Sequence, residues 1–452
     1  MRAPYLNDGD VRLYLGDCIE VLREMEAESV DAVVCDPPYG LGFMGKEWDG
    51  PGRSFFERKP ARGNTFDHVG GNHNPTSSAD ASRTRAVENA RFAAWCETWA
   101  REALRVLKPG GHLLAFGGTR TFHRLTCGIE DAGFEVRDCL SWLYGSGFPK
   151  SLDVSKAIDK AAGAEREVVG EYAVTRDLTR NGRKGDEAIS PVPVHGTTVT
   201  LTAPATDAAR EWQGWGTALK PAWEPCVVAR KPLVGTVATN VQQHGTGALN
   251  IDGCRIGTDG GGTHCTNRDD SGRCRGHANA GRSTSGETFH GPDTSGGRWP
   301  ANVAFDEAAA AMLDAATGER PSGARRAGDY GGIGAGPLYG EGGITALPET
   351  EANTGGASRF FYTAKASRAD RNAGGMAENT HPTVKPTDLM RWLVRLVTPP
   401  GGVVLDPFAG SGSTLVAARA EGFRAIGIER EDEYARIIAD RLSQLSLFSE
   451  AS

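Results

Sequence analysis

The sequence predicts an α/β fold: a mostly parallel sheet covered by helices, with a glycine-rich, loop-dominated insert. Two patterns carry this. Short β-branched runs alternate with segments of helical spacing in both flanks of the chain, and such alternation closes into a parallel sheet. Glycine makes up 60 of the 452 residues, about 13% against a usual ~7%, and 25 of these fall within residues 235–345. The two flanks are therefore expected to build one sheet, with the middle inserted into it.

In the left flank, Val11–Leu15 alternates as a short strand and Ile19–Met25 has helical spacing. Val30–Cys35 reads as a buried strand. Residues 88–107 give the strongest helix here, with Phe92, Trp95, Trp99, Ala103, Leu104 and Leu107 recurring at steps of three and four. Lys108-Pro109-Gly110-Gly111 ends it, and His112–Phe116 reads as the next strand. Across 235–345, Ser, Thr, Asn and Asp crowd the chain and few apolar segments are periodic, which predicts loops. In the right flank, residues 387–397 read as a helix with Thr387 as N-cap, and Val403–Leu405 as a strand. A helix over 413–420 is closed by Gly422, Ala425–Ile428 is another strand, and 432–445 is a last helix.

Charge and composition exclude some classes. Lys+Arg total 50 and Asp+Glu 57, a net charge of -7, so bulk charge does not hold nucleic acid. A local groove stays open, because residues 355–400 carry seven basic side chains against three acidic. No apolar run approaches the ~18 residues of a membrane helix, and the N-terminal residues lack the apolar core of a signal peptide. A cytoplasmic protein with reduced thiols is expected.

Two loops carry chemistry. Val403-Val404-Leu405 runs into Asp406-Pro407-Phe408-Ala409-Gly410-Ser411-Gly412-Ser413-Thr414, a strand, a glycine turn and a helix. Gly410 and Gly412 permit positive φ and close approach of a ligand, and the helix start offers free N–H groups to an anion. Glu429 ends the next strand, where an acid accepts hydrogen bonds from ribose hydroxyls. Leu415 replaces the third glycine of a dinucleotide fingerprint, so a nucleoside bearing a carboxylate fits better than NAD. S-adenosylmethionine is such a ligand.

Asp36-Pro37-Pro38-Tyr39 directly follows the strand 30–35. A carboxylate at the carboxyl end of a parallel strand lies where open α/β sheets bind substrates. The prolines stiffen the turn and leave carbonyl acceptors. Asp36 and the Pro37 carbonyl suit the two hydrogens of a planar base's amine, with Tyr39 as a stacking face. A rigid strand-end turn with an exposed Asp is the plainer alternative.

Asp36-Pro37-Pro38-Tyr39, followed far downstream by Asp406-Pro407-Phe408-Ala409-Gly410-Ser411-Gly412, resembles the amino-group DNA methyltransferases of the β arrangement, as found in phage and restriction-modification systems. Gly16-Asp17-Cys18, Leu107–Gly111, His381-Pro382-Thr383-Val384-Lys385-Pro386 and Gly427-Ile428-Glu429 resemble further motifs of that family, in the same order. The resemblance implies a Rossmann-like, circularly permuted methyltransferase fold with S-adenosylmethionine as cofactor. It implies cofactor contacts at Asp17, Asp406, Pro407, Phe408, Gly410, Gly412, Thr414, Glu429, His381 and Lys385, and chemistry at Asp36, Pro37, Pro38 and Tyr39. The expected reaction is direct methyl transfer to the amine of a base flipped out of double-stranded DNA. No covalent nucleophile is needed, so none of the nine cysteines is a candidate. In the family Asp at the first loop position usually accompanies adenine N6, and Ser cytosine N4. Asp36 therefore favours adenine, with cytosine-N4 methylation and an inactive nucleic-acid-binding protein of the same fold as alternatives. Family members are often dimers, so a homodimer is an open expectation, as is a cognate restriction endonuclease. The host is expected to be a bacterial or phage-infected cell.

The expected division is catalytic residues 1–151, a target-recognition insert at 152–355, and catalytic residues 356–452. Arg359-Phe360-Phe361-Tyr362-Thr363-Ala364-Lys365 mixes cations with aromatics, which suits phosphates and unstacked bases as well as it suits a solvated strand. Arg359, Lys365 and Arg368 are the candidate DNA contacts. Tyr144–Ser151 and Leu219–Pro225 resemble segments of phage and prophage members but suggest no mechanism. Cys254, His264, Cys265, Cys274, His277 and His290 are too irregularly spaced for a zinc site, and no metal is expected.

Overall fold

The computed structural model describes residues 2–40, 78–145, 147, 151–173, 198–257, 297–322, 353–364 and 384–449. The elements run β1 (Leu6–Asn7), β2 (Val11–Leu15), α1 (Cys18–Glu24), β3 (Val30–Cys35), α2 (Ser78–Val106), β4 (Leu107–Phe116), α3 (Phe122–Asp131) and β5 (Glu135–Leu143). Next come α4 (Val154–Ala161), β6 (Val168–Ala173), β7 (Thr198–Thr202), α5 (Asp207–Glu211), β8 (Trp223–Arg230) and α6 (Val237–His244). Then follow β9 (Val303–Asp306), α7 (Glu307–Thr317), β10 (Arg320–Ser322), β11 (Asn353–Gly355) and β12 (Tyr362–Ala364). The chain continues through α8 (Thr387–Val397), β13 (Val403–Asp406), α9 (Ser413–Ala420), β14 (Arg424–Glu429) and α10 (Asp432–Ser449).

Ten strands form one sheet in the order β1-β2-β14-β13-β3-β4-β8-β5-β9-β12. From β2 to β4 every pairing is parallel. This is the parallel, helix-covered sheet that the alternating pattern predicts. β3 is buried at all six positions, as a central strand covered on both faces must be. Alternate side chains feed two cores. On one face Val33, Leu113 and Leu405 pack with Val21, Trp99 and Ile129 of α1, α2 and α3. On the other Val34, Leu114 and Val404 pack with Leu389, Leu415 and Ile438 of α8, α9 and α10.

Two local expectations are corrected. β4 starts at Leu107 and runs through the Lys-Pro-Gly-Gly segment read as a turn. Gly110 takes φ 77, and the register against β3 shifts between Val30 and Ala32, so the strand absorbs the glycines as an irregularity. Thr387 is buried as the first residue of α8, and Pro386, extended at ψ 131, is its N-cap. The glycine-rich middle holds α6, β9, α7 and β10 among its described residues.

The chain divides into two compact units, residues 1–145 with 223–452, and residues 146–222. β8 and β9, which fall inside the expected insert 152–355, are strands of the main sheet. In the smaller unit, buried Asp159 accepts from Arg166 Nη1 at 2.6 Å, the Ala205 and Thr206 amides at 3.0 Å and Thr206 Oγ1 at 2.7 Å. Burial opposes its charge, yet these donors outweigh it and bring the carboxyl down to about 2.

Within β3, buried Asp31 accepts from Lys108 Nζ at 2.6 Å and from the Val403 amide at 2.8 Å. It ties β13, β3 and β4 together through one carboxylate. Asp31→Ala leaves the Val403 N–H unsatisfied and the ammonium without its partner. A loss of about 2 kcal/mol is expected in denaturant unfolding, below the ~3–5 kcal/mol of a fully buried pair because Lys108 is partly exposed.

Candidate active site

The reaction loop leaves the carboxyl end of β3 and is fixed at both ends. Tyr39 Oη donates to Asp36 Oδ1 at 2.8 Å, and the Tyr39 carbonyl accepts from Thr121 Oγ1 at 2.7 Å. Lys385, just before α8, reaches over the loop. Its Nζ donates to Asp36 Oδ2 at 2.6 Å and to Tyr39 Oη at 3.1 Å. The same ammonium stands 3.1 Å from Glu224 Oε2, which also lies 3.4 Å from Tyr39 Oη. The faces of Phe116 and Tyr39 stand 4.8 and 5.6 Å from the ammonium.

Glu224 arrives by topology. β8 runs antiparallel to both β4 and β5, so its first residues lie where the parallel strands end. Cys226 pairs with Phe116, and the Pro225 carbonyl accepts from the Gly117 amide at 2.9 Å. Burial disfavours the charge on Lys385, but Asp36 and Glu224 outweigh it, and the net direction is upward. Burial, then the charges of the same two carboxylates, push the Tyr39 phenol up, so it remains a donor.

The glycine loop leaves β13 one strand away. Gly410 and Gly412 adopt φ 52 and 80. A Cβ at Gly412 would stand 3.0 Å from Ile438 Cγ1, so both conformation and space call for glycine there. Glu429, at the end of β14, accepts from the Gly410 amide at 2.7 Å and the Glu431 amide at 2.8 Å. Its backbone carbonyl accepts from the Gly16 amide at 2.9 Å, and the adjacent Asp17 caps α1 by accepting from Ile19 and Glu20. Asp406 accepts from the Phe408 amide at 3.0 Å and is hydrogen-bonded to Thr414. Burial raises both Asp406 and Glu429 to about 7, against the pull of those donors. Pro407 is buried, and the Phe408 ring packs on Trp95 and Trp99 with centroids 5.6 and 5.2 Å apart.

The structure thus collects Asp36, Pro37, Pro38, Tyr39 and Lys385 at one point of the sheet edge. Asp17, Asp406, Gly410, Gly412, Thr414 and Glu429 lie at the ends of the adjoining strands. Lys385, expected among the cofactor contacts, donates to the Asp36 carboxylate. Sequence reasoning missed Glu224 and Thr121. The Leu219–Pro225 segment had drawn attention, but only β8's direction shows that its acid faces the reaction loop. Arg359 donates to the Gly355, Gly356 and Arg320 carbonyls and stands 4.5 Å over the Phe360 ring. Lys365, Arg368 and His381 lie outside the described residues, as do five of the six Cys and His weighed for zinc. Among the described residues, no group of three or more His, Cys, Asp or Glu is placed to hold a metal.

The chain is 25% identical to the Type II methyltransferase M.HindIII of Haemophilus influenzae over 250 residues, 53% of this chain and 64% of that one. It is 51% identical to the putative methylase YubD of Escherichia coli over 63 residues, 14% of this chain and 28% of that one. Each match spans less than two thirds of the relative's length. Among solved structures, the PvuII DNA methyltransferase (cytosine-N4-specific) aligns over 97% of this chain and 89% of its own, with 14% identity and a TM-score of 0.42. The model of the DNA methylase family matches residues 30–170 and 335–440, more than half of the chain. By that match, and by the order of its two loops along one parallel sheet, the chain belongs to the DNA methylase family.

Proposed function

We propose that the protein transfers a methyl group from S-adenosylmethionine to the N6 amine of adenine within a short sequence of double-stranded DNA. The observation that carries this reading is the adjacency of two carboxylate-bearing loops on parallel neighbours β3 and β13. The glycine loop and Glu429 suit a nucleoside. The Gly410, Arg430 and Glu431 amides bond to Glu429, and a carboxylate's roughly four acceptor sites leave capacity for ribose hydroxyls. Gly412, at φ 80 and packed against Ile438, makes the tight turn that leads into α9. The cofactor supplies an activated methyl group on a sulfonium. Asp36 and the Pro37 carbonyl accept from the amine and orient its lone pair along the transfer line. With the cofactor held there, the amine would take its methyl group and give up one proton to solvent.

Adenine is preferred because the loop begins with Asp, and because the DNA adenine methyltransferase YhdJ of Escherichia coli is 44% identical to this chain over 69 residues. A flipped base enters against Tyr39. The DNA contact is proposed at residues 355–400. There Arg359 has no carboxylate partner among the described residues and stacks on exposed Phe360.

Two outcomes are expected. DNA incubated with the protein and labelled cofactor, digested to nucleosides and read by mass spectrometry, yields N6-methyladenine. N4-methylcytosine would replace the base assignment, and no methylated nucleoside on diverse DNA would refute the activity. Asp36→Ala keeps cofactor binding within about twofold and lowers transfer by about 10²–10³.

The raised Glu429 gives a pH dependence of known sign. A ligand hydroxyl favours the carboxylate, so binding draws the group below its ligand-free value of about 7 and releases protons. Cofactor affinity, by calorimetry, is expected to rise about tenfold between pH 6 and pH 8 relative to a Glu429→Gln variant. The same shift makes the ligand-free protein less stable as pH climbs from the ordinary carboxylate range towards 7.

A further inference from the structure

Asp36, Lys385, Glu224 and Tyr39 form a closed ring. Asp36 Oδ2 meets Lys385 Nζ at 2.6 Å, Nζ meets Glu224 Oε2 at 3.1 Å, Glu224 lies 3.4 Å from Tyr39 Oη, and Oη returns to Asp36 Oδ1 at 2.8 Å. The Lys385 side chain is 9% exposed, and those of Asp36 and Glu224 are 22% and 24%. The ammonium stands between the two carboxylates and contacts both.

We propose that Lys385 is a positioning residue for the methyl-transfer reaction and that Glu224 is its counter-charge. Together they hold the Asp36 carboxylate in place, aimed at the target amine. The inference rests on the methyltransferase reading above. Three formal charges leave the ring at -1, which complements the positive charge that grows on the amine nitrogen during transfer. Glu224 also divides the ammonium's pull, so Asp36 is not neutralised as an acceptor by its own partner. The two Asp36 oxygens then differ in role. Oδ2 is locked on the ammonium. Oδ1 is held by a neutral phenol hydroxyl, the weaker contact, and is the one that an entering amine takes over.

Neither neighbour needs to touch substrate, so the readout must be one that a merely structural role would not move. The acid limb of the single-turnover rate against pH serves. Wild-type transfer to DNA is measured first. Its absence sinks the methyltransferase reading, whereas transfer by wild type with indifferent variants sinks this inference alone. Lys385→Met leaves two facing carboxylates without their cation. Loss of the cation disfavours negative charge on the loop, so the acid limb moves up by a unit or more and the rate at pH 7 falls at least tenfold, while cofactor affinity changes less than threefold. Glu224→Gln leaves the ammonium to Asp36 alone. The acid limb moves down, and the plateau rate falls several-fold because the acceptor is weaker. Lys385→Arg restores most of the rate. In the double variant Lys385→Met/Glu224→Gln the acid limb returns towards wild type, because the repulsion is gone. Limbs that stay put in both single variants, or move the same way, overturn the proposal. If Lys385→Met does not fold, as judged by circular dichroism, Glu224→Gln alone decides: an unchanged rate and profile overturns it.

Discussion

The pairing of β3 with β13 is the constraint on which the rest of the site depends. Ala32 sits opposite Val404 and Val33 opposite Leu405, so segments some 370 residues apart in sequence run side by side. Both strands point the same way, and each delivers an acidic loop to the same edge. Asp31 reinforces the pairing from within, since its carboxylate holds the first amide of β13. β14 and β2 continue the parallel run and add Glu429 and the Gly16–Asp17 turn.

Charge at this edge is handled in two ways. At the reaction loop two acids are balanced by a buried ammonium, and the ring of contacts is nearly complete without any ligand. At the glycine loop two acids are buried against neutral donors, the Phe408, Gly410, Arg430 and Glu431 amides and Thr414, and burial wins over those hydrogen bonds. The first arrangement sets a cation between its acids, whereas in the second burial raises both carboxyls to about 7. The modest net acidity of the whole chain says nothing about either. Both are products of local burial and partners.

Much of this was legible in the sequence because the signals were local. Short buried strands, the helix at 387–397 and the glycine turn each depend on side chains within a few residues of one another. The reaction loop was legible for the same reason, as four consecutive residues on a strand end. What escaped depends on chain direction and distant pairing. β8 lies in a stretch read as recognition insert, yet it enters the sheet between β4 and β5, and its reversed direction turns Glu224 towards Tyr39. The contact of Lys385 with Asp36 was not legible, since nothing near it in sequence tells which carboxylate it meets. The Lys-Pro-Gly-Gly segment misled because glycine usually ends an element. Here a register shift with Gly110 in the left-handed region lets the strand pass through.

The strand order carries a consequence for synthesis. β2 and β3 are early in the chain, yet they are not neighbours in the sheet. β14 and β13 lie between them. A nascent chain that has emerged only through β12 therefore holds a sheet with a two-strand gap at its centre, and its reaction loop has no glycine loop beside it. The last strands close that gap by contacts of very high sequence separation, the slowest kind to form. Until residues 403–429 have been translated and docked, the unfinished chain presents open β-edges. It then depends on rapid completion, or on chaperones, to avoid pairing with its neighbours on the polysome.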